Sequence, residues 1–456
     1  MLRYSLALIA LVLADGPANA NDLMQFYELA RSRDATLQAA RFQRDAAVEA
    51  RPQALSQLLP QISAGGSAVR ENADYAASDY TVAYEGIRAP DCTLSTDAST
   101  QRCYGTAHGL ALTLTQTLWS YQAFSLLKEA NLQAAAAEAT WQGAQQSLLL
   151  RVAGAYFAVL SAKDQLTTNR GERQAFATLL DQTKVRQQTG VGARSDVEQA
   201  QSFYDATEQS VIDAQNALDD ANLALTEIIG SHGDAIAPLQ ETIPLVSPEP
   251  ASADAWVASA RQDNFDVRAA ELKMQAASRD ISAQHGKDLP TFSLTGSAAR
   301  AWQDDLLGGN QSLGTVGVSF SWPLFQSGAV ASAVRQSRAL YRQAQAQYDT
   351  AQRDTERQTR SAYRNVVSGI QRIAAARRAV ASGHDAVEAS RRNVEFGTGN
   401  EFDLLNAQNN YYTAVRAYDQ TRYDYLTSML TLKQQAGRLT EQDLVGIDQL
   451  LVVSGP

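Results

Sequence analysis

Few residues in this 456-residue chain are placed to do covalent chemistry. The four histidines, His108, His232, His285 and His384, are scattered, without metal-ligand spacing and without a nucleophile beside them. No glycine-rich phosphate loop follows a strand, and no HExxH or CxxC pattern occurs. The chain reads as a non-enzyme with no cofactor. Its two cysteines, Cys92 and Cys103, sit close together in a polar stretch with Pro90 and Gly105. In an exported protein that pair reads as a disulfide closing a small exposed loop, with free thiols as the alternative. A metal site there is disfavoured, because His108 is the only histidine nearby.

Export is written at the N-terminus. Arg3 is followed by an apolar run from Leu6 to Leu13 and by Ala18-Asn19-Ala20, a small-x-small cleavage pattern. Residues 1–20 therefore read as a signal peptide, too short in its apolar run to span a bilayer. Cleavage is expected after Ala20. No cysteine follows that site, so lipid attachment is not expected. The net charge of −10 and pI near 5.1 argue against nucleic acid, which selects basic patches. The mean hydropathy is −0.28, and no later stretch approaches the roughly 18–20 apolar residues of a spanning helix. Those values fit a soluble chain and a transmembrane β-barrel equally, because barrel strands alternate apolar and polar residues.

The elements that must position any functional residue come in two copies. Leu59-Pro60-Gln61-Ile62-Ser63, continuing to Gly66-Ser67-Ala68 and Arg70, matches Leu289-Pro290-Thr291-Phe292-Ser293, continuing to Gly296-Ser297-Ala298 and Arg300. Further on, Ala155-Tyr156 matches Ala362-Tyr363, and Gly190, Gly192, Asp196 and Tyr204 match Gly397, Gly399, Asp403 and Tyr411 at one constant offset. The repeat is long, so two copies of one structural unit are expected rather than a solenoid. The boundaries read as residues 21–230 for the first repeat, 231–253 for a connector containing Pro238, Pro244, Pro248 and Pro250, 254–440 for the second repeat, and 441–456 for a C-terminal segment.

Within each repeat the period changes. Leu110, Leu112, Leu114 and Leu118 alternate with Ala111, Thr113, Thr115 and Thr117. Val316, Val318, Phe320 and Trp322 alternate with Thr315, Gly317, Ser319 and Ser321. Period two predicts strands with an apolar face and a small, hydroxylated face. Trp119, Tyr121, Trp322 and Phe325 gather where the strands end, as aromatics do at a membrane interface. Four strands cannot enclose an aqueous lumen, so a lipid-facing sheet must be shared among chains. After the strands, no proline interrupts 121–190 or 328–397. At 1.5 Å per residue each stretch predicts a helix about 100 Å long. Apolar positions step by three and four: Leu149, Val152, Tyr156 and Val159, then Val366, Ile370 and Ile373. Each long helix stops at a glycine pair, and a second helix begins near Asp196 or Asp403, with Ser195 as a candidate N-cap.

In order and in duplication these residues resemble the TolC family of trimeric outer-membrane channel proteins, over nearly the whole mature chain. The residues that carry the resemblance are Asn21-Asp22-Leu23-Met24-Gln25, Leu59-Pro60-Gln61, Ala155-Tyr156-Phe157, and Gly190 with Asp196-Val197. Trp322-Pro323-Leu324-Phe325 followed by Gly328, and the run from Gly397 to Gln408, complete the set. The resemblance implies a mainly α fold with a β-barrel portion. Long coiled-coil hairpins would form a periplasmic tunnel, and four strands per chain would enter a twelve-stranded barrel shared by a homotrimer in outer-membrane lipid. It implies a passive exit duct of a tripartite efflux or type I secretion system, with a periplasmic adaptor (membrane fusion) protein and an inner-membrane transporter as partners.

The resemblance also assigns residues. Gly190, Val191, Gly192, Gly397, Thr398 and Gly399 become the hairpin tips where the adaptor docks. Asp403 becomes an entrance ring, and the second ring position, one turn on, holds Asn406 in place of an aspartate. The plainer reading of Asp403 is a solvated acid stabilised by the helix dipole. Asp196 with Ser195, and Arg422, match positions that link neighbouring coils and hold the entrance shut; ordinary surface charge is the alternative. The aromatic and arginine found in some members are replaced here by Val394 and Gly399, and Arg194 is a candidate substitute. A soluble periplasmic coiled-coil adaptor is the competing reading, weakened by the lack of lipoyl-like and barrel domains.

Overall fold

The computed structural model describes residues 23–76, 92–94, 100–231, 236–303 and 309–452; the leader and its cleavage site lie outside these. The first repeat runs α1 (Leu23–Arg33), α2 (Ala35–Val48), α3 (Ala50–Ser56), β1 (Gln61–Ala76), β2 (Cys92–Leu94), β3 (Thr100–Trp119), α4 (Tyr121–Gln188) and α5 (Arg194–Ile229). The second runs α6 (Ala253–Asp263), α7 (Phe265–His285), β4 (Thr291–Gln303), β5 (Gly309–Ser321), α8 (Ala329–Glu395) and α9 (Glu401–Gln435), followed by α10 (Glu441–Asp448). The chain forms two compact units, and each draws on both repeats: 45–137 with 270–348, and the remainder.

In the first of these units the strands pair antiparallel in the order β1-β3-β4-β5, with β2 on the far end of β3. The register puts Ile62 opposite Leu114, Leu112 opposite Ala298, Leu294 opposite Val318 and Phe292 opposite Phe320. Side chains of opposed residues share a face, so one surface of the sheet is apolar. The other carries Ser63, Thr113, Thr115, Ser297 and Thr315, with Ser297 and Thr315 hydroxyls 2.6 Å apart. The apolar face is bare: Ile62, Val316 and Val318 are 76%, 85% and 65% exposed. Where the strands meet the helices, Trp119 packs edge-on against Phe292 and Phe292 lies tilted against Phe320, with centroids 6.2 and 5.1 Å apart. Ser120 Oγ then accepts from the Ala123 amide and starts α4. Among the described residues no helix is long and apolar enough to cross a membrane.

The second unit is helical. Its core holds the sequence stripe itself: Leu149, Val152, Tyr156 and Val159 from α4, Val366 and Ile373 from α8, and Tyr425, Leu426 and Leu430 from α9. Phe26 of α1 packs edge-on against Tyr156 at 5.6 Å, and Phe157 lies 6.0 Å from Tyr423. Burying each large side chain contributes about 1.5–3 kcal/mol. The proline-rich connector is strapped on by tyrosines: Tyr156 Oη donates to the Ala237 carbonyl at 3.0 Å and Tyr418 Oη to that of Glu241 at 3.0 Å. The start of α1 is tied to the C-terminus, where Asp448 accepts from the Leu23 and Met24 amides at 2.8 and 3.2 Å.

Candidate functional site at the hairpin tips

The two helical turns at the tips are copies of one another. Gly190 and Gly397 both take the left-handed conformation, with φ of 80° and 72°. The Val191 and Gly192 amides both donate to the Arg186 carbonyl at 3.0 Å, and the Thr398 and Gly399 amides both donate to that of Asn393 at 2.9 Å. Glycine accepts the positive φ without the Cβ clash other residues suffer, so the chain reverses in a few residues. Apolar side chains stand proud of each turn, Val191 at 72% and Phe396 at 79% exposure.

The helices leaving these turns begin differently. In α5 the cap position is Ala193, and Ser195 lies in the first turn, correcting the expectation that Ser195 caps it. Asp196 does the capping work in reverse, its Oδ2 accepting from the Ala193 amide at 3.1 Å. In α9 the cap is Asn400, whose Oδ1 accepts from the Phe402 amide at 2.9 Å. Asp403, the counterpart of Asp196, takes no part in this cap. It is exposed, and among the described residues its carboxylate has no hydrogen-bond or ion-pair partner. Asn406 donates back to the Phe402 carbonyl at 2.9 Å.

Glu401, two residues before Asp403, joins the two hairpins. Its Oε2 accepts from Thr183 Oγ1 of α4 at 2.7 Å, and its Oε1 lies 3.1 Å from Arg186 Nη1. The Glu401 side chain is 11% exposed, so this pair is shielded more than a surface bridge. A cavity of about 420 Å³ opens beside it between α4 and α8, with α9 as its floor. Sequence reasoning missed Glu401, although a signal was present: the matching place in the first repeat holds Arg194, an inversion of charge at otherwise congruent tips.

Polar contacts continue along the antiparallel α4–α9 seam. Arg416 of α9 pairs with buried Glu172 of α4 and donates to Asn169 Oδ1 at 3.1 Å. Burial pushes the Glu172 carboxyl above the ordinary range, with Arg416 opposing it. Higher up, Arg422 is nearly buried and donates to Asp419 Oδ1 at 2.6 Å and to the Gln240 carbonyl at 3.0 Å, with Asp164 of α4 at 3.6 Å. Tyr423 Oη donates to the same Asp164 at 2.6 Å. The structure thus does not bring Asp196 and Arg422 together. Nineteen residues past Asp403 on one helix, Arg422 sits about 28 Å from the tip and ties hairpin to hairpin and connector there. Among the described residues Arg194 pairs with Glu198 of its own helix, at the surface. Cys92 and Cys103 are opposed Cα partners in the β2–β3 register; their side chains lie outside the described residues.

A bare-faced four-strand sheet, duplicated long hairpins and a polar latch between them define a membrane-channel class of fold. Comparison with known proteins agrees. The model of the outer membrane efflux protein family matches residues 26–231 and 256–438. Outer membrane protein TolC of Escherichia coli K12 is 31% identical over 95% of this chain and 86% of its own length. The proteases secretion protein PrtF of Dickeya chrysanthemi is 28% identical over 96% of this chain and 92% of its own. The outer membrane protein VceC of Vibrio cholerae, a solved structure, superposes with a TM-score of 0.75 at 19% identity, covering 91% of this chain and 96% of that one. This chain belongs to the outer membrane efflux protein family, and with it to the outer membrane.

Proposed function

We propose that three copies of this chain assemble into an exit duct, conducting substrates passively from the periplasm to the cell exterior. The observation that carries this reading is the sheet. Its apolar face is exposed, and β1 and β5 leave their outer edges unpaired among the described residues. Lipid tolerates neither an open edge nor an unclosed sheet, so β5 of one copy must meet β1 of the next. Those edges are antiparallel when the copies are related by rotation, which closes a barrel of twelve strands. The hydroxylated face then lines the lumen.

At the helical tips, Asp403 would project from each copy into one ring of carboxylates, with Asn406 a turn further on. The Glu401 contact with Thr183 and Arg186 holds the two hairpins of a protomer together beside that ring. An adaptor docking at the exposed Val191 and Phe396 turns, and an inner-membrane transporter supplying substrate, complete the system. Both efflux and secretion proteins stand among the relatives, and this reading leaves the choice of cargo to the transporter. The test is to purify the full chain in detergent and in planar bilayers. A trimer that conducts ions is expected; a monomer, or a trimer without conductance, overturns the reading.

A further inference from the structure

In the helical unit α4 and α9 lie in the middle. α5 packs on one side of them, held by Asn169 Nδ2 donating to the Ser210 carbonyl at 3.0 Å and Arg170 donating to Gln215 at 3.0 Å. α8 packs on the other, where Gly369 and Gly383 admit the rings of Tyr425 and Tyr411 of α9. α5 and α8 are therefore the outer helices of the protomer.

Their charges are opposite. α5 holds eight Asp and Glu against Arg194 alone, whereas α8 holds twelve Arg against six Asp and Glu. Spacings of three, four and seven place Glu198, Asp205, Glu208, Asp219 and Glu227 on one exposed stripe of α5, with Ile212 and Leu223 among them. Arg353, Arg360, Arg364, Arg378 and Arg392 form a like stripe on α8 around Val367, with Arg360 half-buried and Glu356 and Asp385 the acids in the row. Ile212 and Leu223 are 58% and 62% exposed and Val367 37%, apolar surface in the middle of charged rows. Among the described residues, no ion pair joins the α5 acids to another helix, and of these five arginines only Arg360 makes one, with Asp254 of α6.

We infer that the acidic stripe of α5 docks on the basic stripe of α8 of a neighbouring copy, making the helical seam between protomers. The inference rests on the trimeric reading above and names the surfaces that seal it. Both tips lie at one end of the unit, since Glu401 touches Arg186. Counting turns from the tips, with α5 and α8 antiparallel, sets Glu198 opposite Arg392 one turn up. Leu223 meets Val367 about eight turns up, and Glu227 meets Arg364 one turn beyond. Opposite charges along both rows favour this register and repel α5 from α5 and α8 from α8.

The test uses the full chain with Cys92→Ser and Cys103→Ser, carrying Leu223→Cys and Val367→Cys together or singly. Oxidation should give covalent dimers and trimers on non-reducing gels for the double variant and monomers for each single one. A protein that stays trimeric in detergent but forms no such ladder overturns the seam while leaving the trimer intact; a monomeric parent overturns both. As a second measurement, Glu227→Arg should lower the temperature at which trimers dissociate, and Arg364→Glu in the same chain should restore it. Equal loss in the double charge variant overturns the pairing.

Discussion

Arg186 near the end of α4 and Glu401 at the start of α9 meet at 3.1 Å, so the two hairpins of one protomer are latched within two turns of their tips. Thr183, one turn back along α4, gives the same carboxylate a hydrogen bond at 2.7 Å. A charge-assisted, largely shielded contact of this kind is stronger than an exposed bridge. Glu401→Gln should therefore loosen the entrance and raise resting conductance in planar bilayers severalfold, and Arg186→Ala should do the same. Conductance identical to the parent would reject the latch.

Asp403 is exposed, and in the trimer proposed above three such carboxylates facing one axis would attract cations. Asp403→Ala should reduce cation selectivity and weaken block by multivalent cations applied from the periplasmic side. Asn406→Asp should strengthen both by adding a second ring. Reversal potentials in salt gradients measure the first effect, and current inhibition the second.

The Glu172–Arg416 pair lies inside the α4–α9 seam, with the glutamate side chain 4% exposed. Glu172→Gln leaves Arg416 without its counter-charge, a change that costs about 3 kcal/mol when the partner is mostly buried. Chemical denaturation should show a lowered midpoint with an unchanged slope. A loss under about 0.5 kcal/mol would mark the pair as an ordinary surface bridge.

Glu129 of α4 couples stability to pH. Its Oε2 is buried without a hydrogen-bond partner, and burial, then the charge of Asp280, push its pKa up to about 7. A folded pKa above the unfolded value of 4.5 means that the contribution is fully present below about 4.5 and lost as pH rises through about 7. The group is half-buried, so solvent screening reduces the effect to about 1–2 kcal/mol. Melting temperature should fall between pH 5 and 8 in the parent and stay flatter in Glu129→Gln. Parallel curves would place the titration elsewhere.

Cys92 and Cys103 are opposed Cα partners across β2 and β3, a register in which an antiparallel ladder can carry a disulfide. Protein from the oxidising periplasm should resist alkylation at both residues until reduced. Labelling without reductant would show free thiols.

Much of the architecture was readable because periodicity and duplication are local properties. The stripe through Val152 and Tyr156 predicted a long helix, and the same side chains form the core. The alternation at Leu110, Leu112 and Leu114 predicted a two-faced strand, and the register confirms one apolar surface. Arg422 was legible only in part. Its charge and position suited an entrance link, yet Asp164, Asp419 and the Gln240 carbonyl capture it far from the tip. Asp419 lies one turn back on α9 and is legible from spacing, but Asp164 and Gln240 come from distant segments that no spacing within α9 announces.

By itself, then, the sequence determined the elements and their duplication: helix, hairpin, long helix and returning helix, each turned by a glycine at matching places. Backbone conformation and amphipathic period act over a few residues, so they are legible in one dimension. The tertiary structure alone decided how the copies diverge. Asp196 is spent on the Ala193 amide while Asp403 is left free, and Glu401, where the first repeat has Arg194, reaches across to Arg186. Which carboxylate is capped, paired or exposed depends on neighbours some two hundred residues away, and only packing brings them within hydrogen-bond reach.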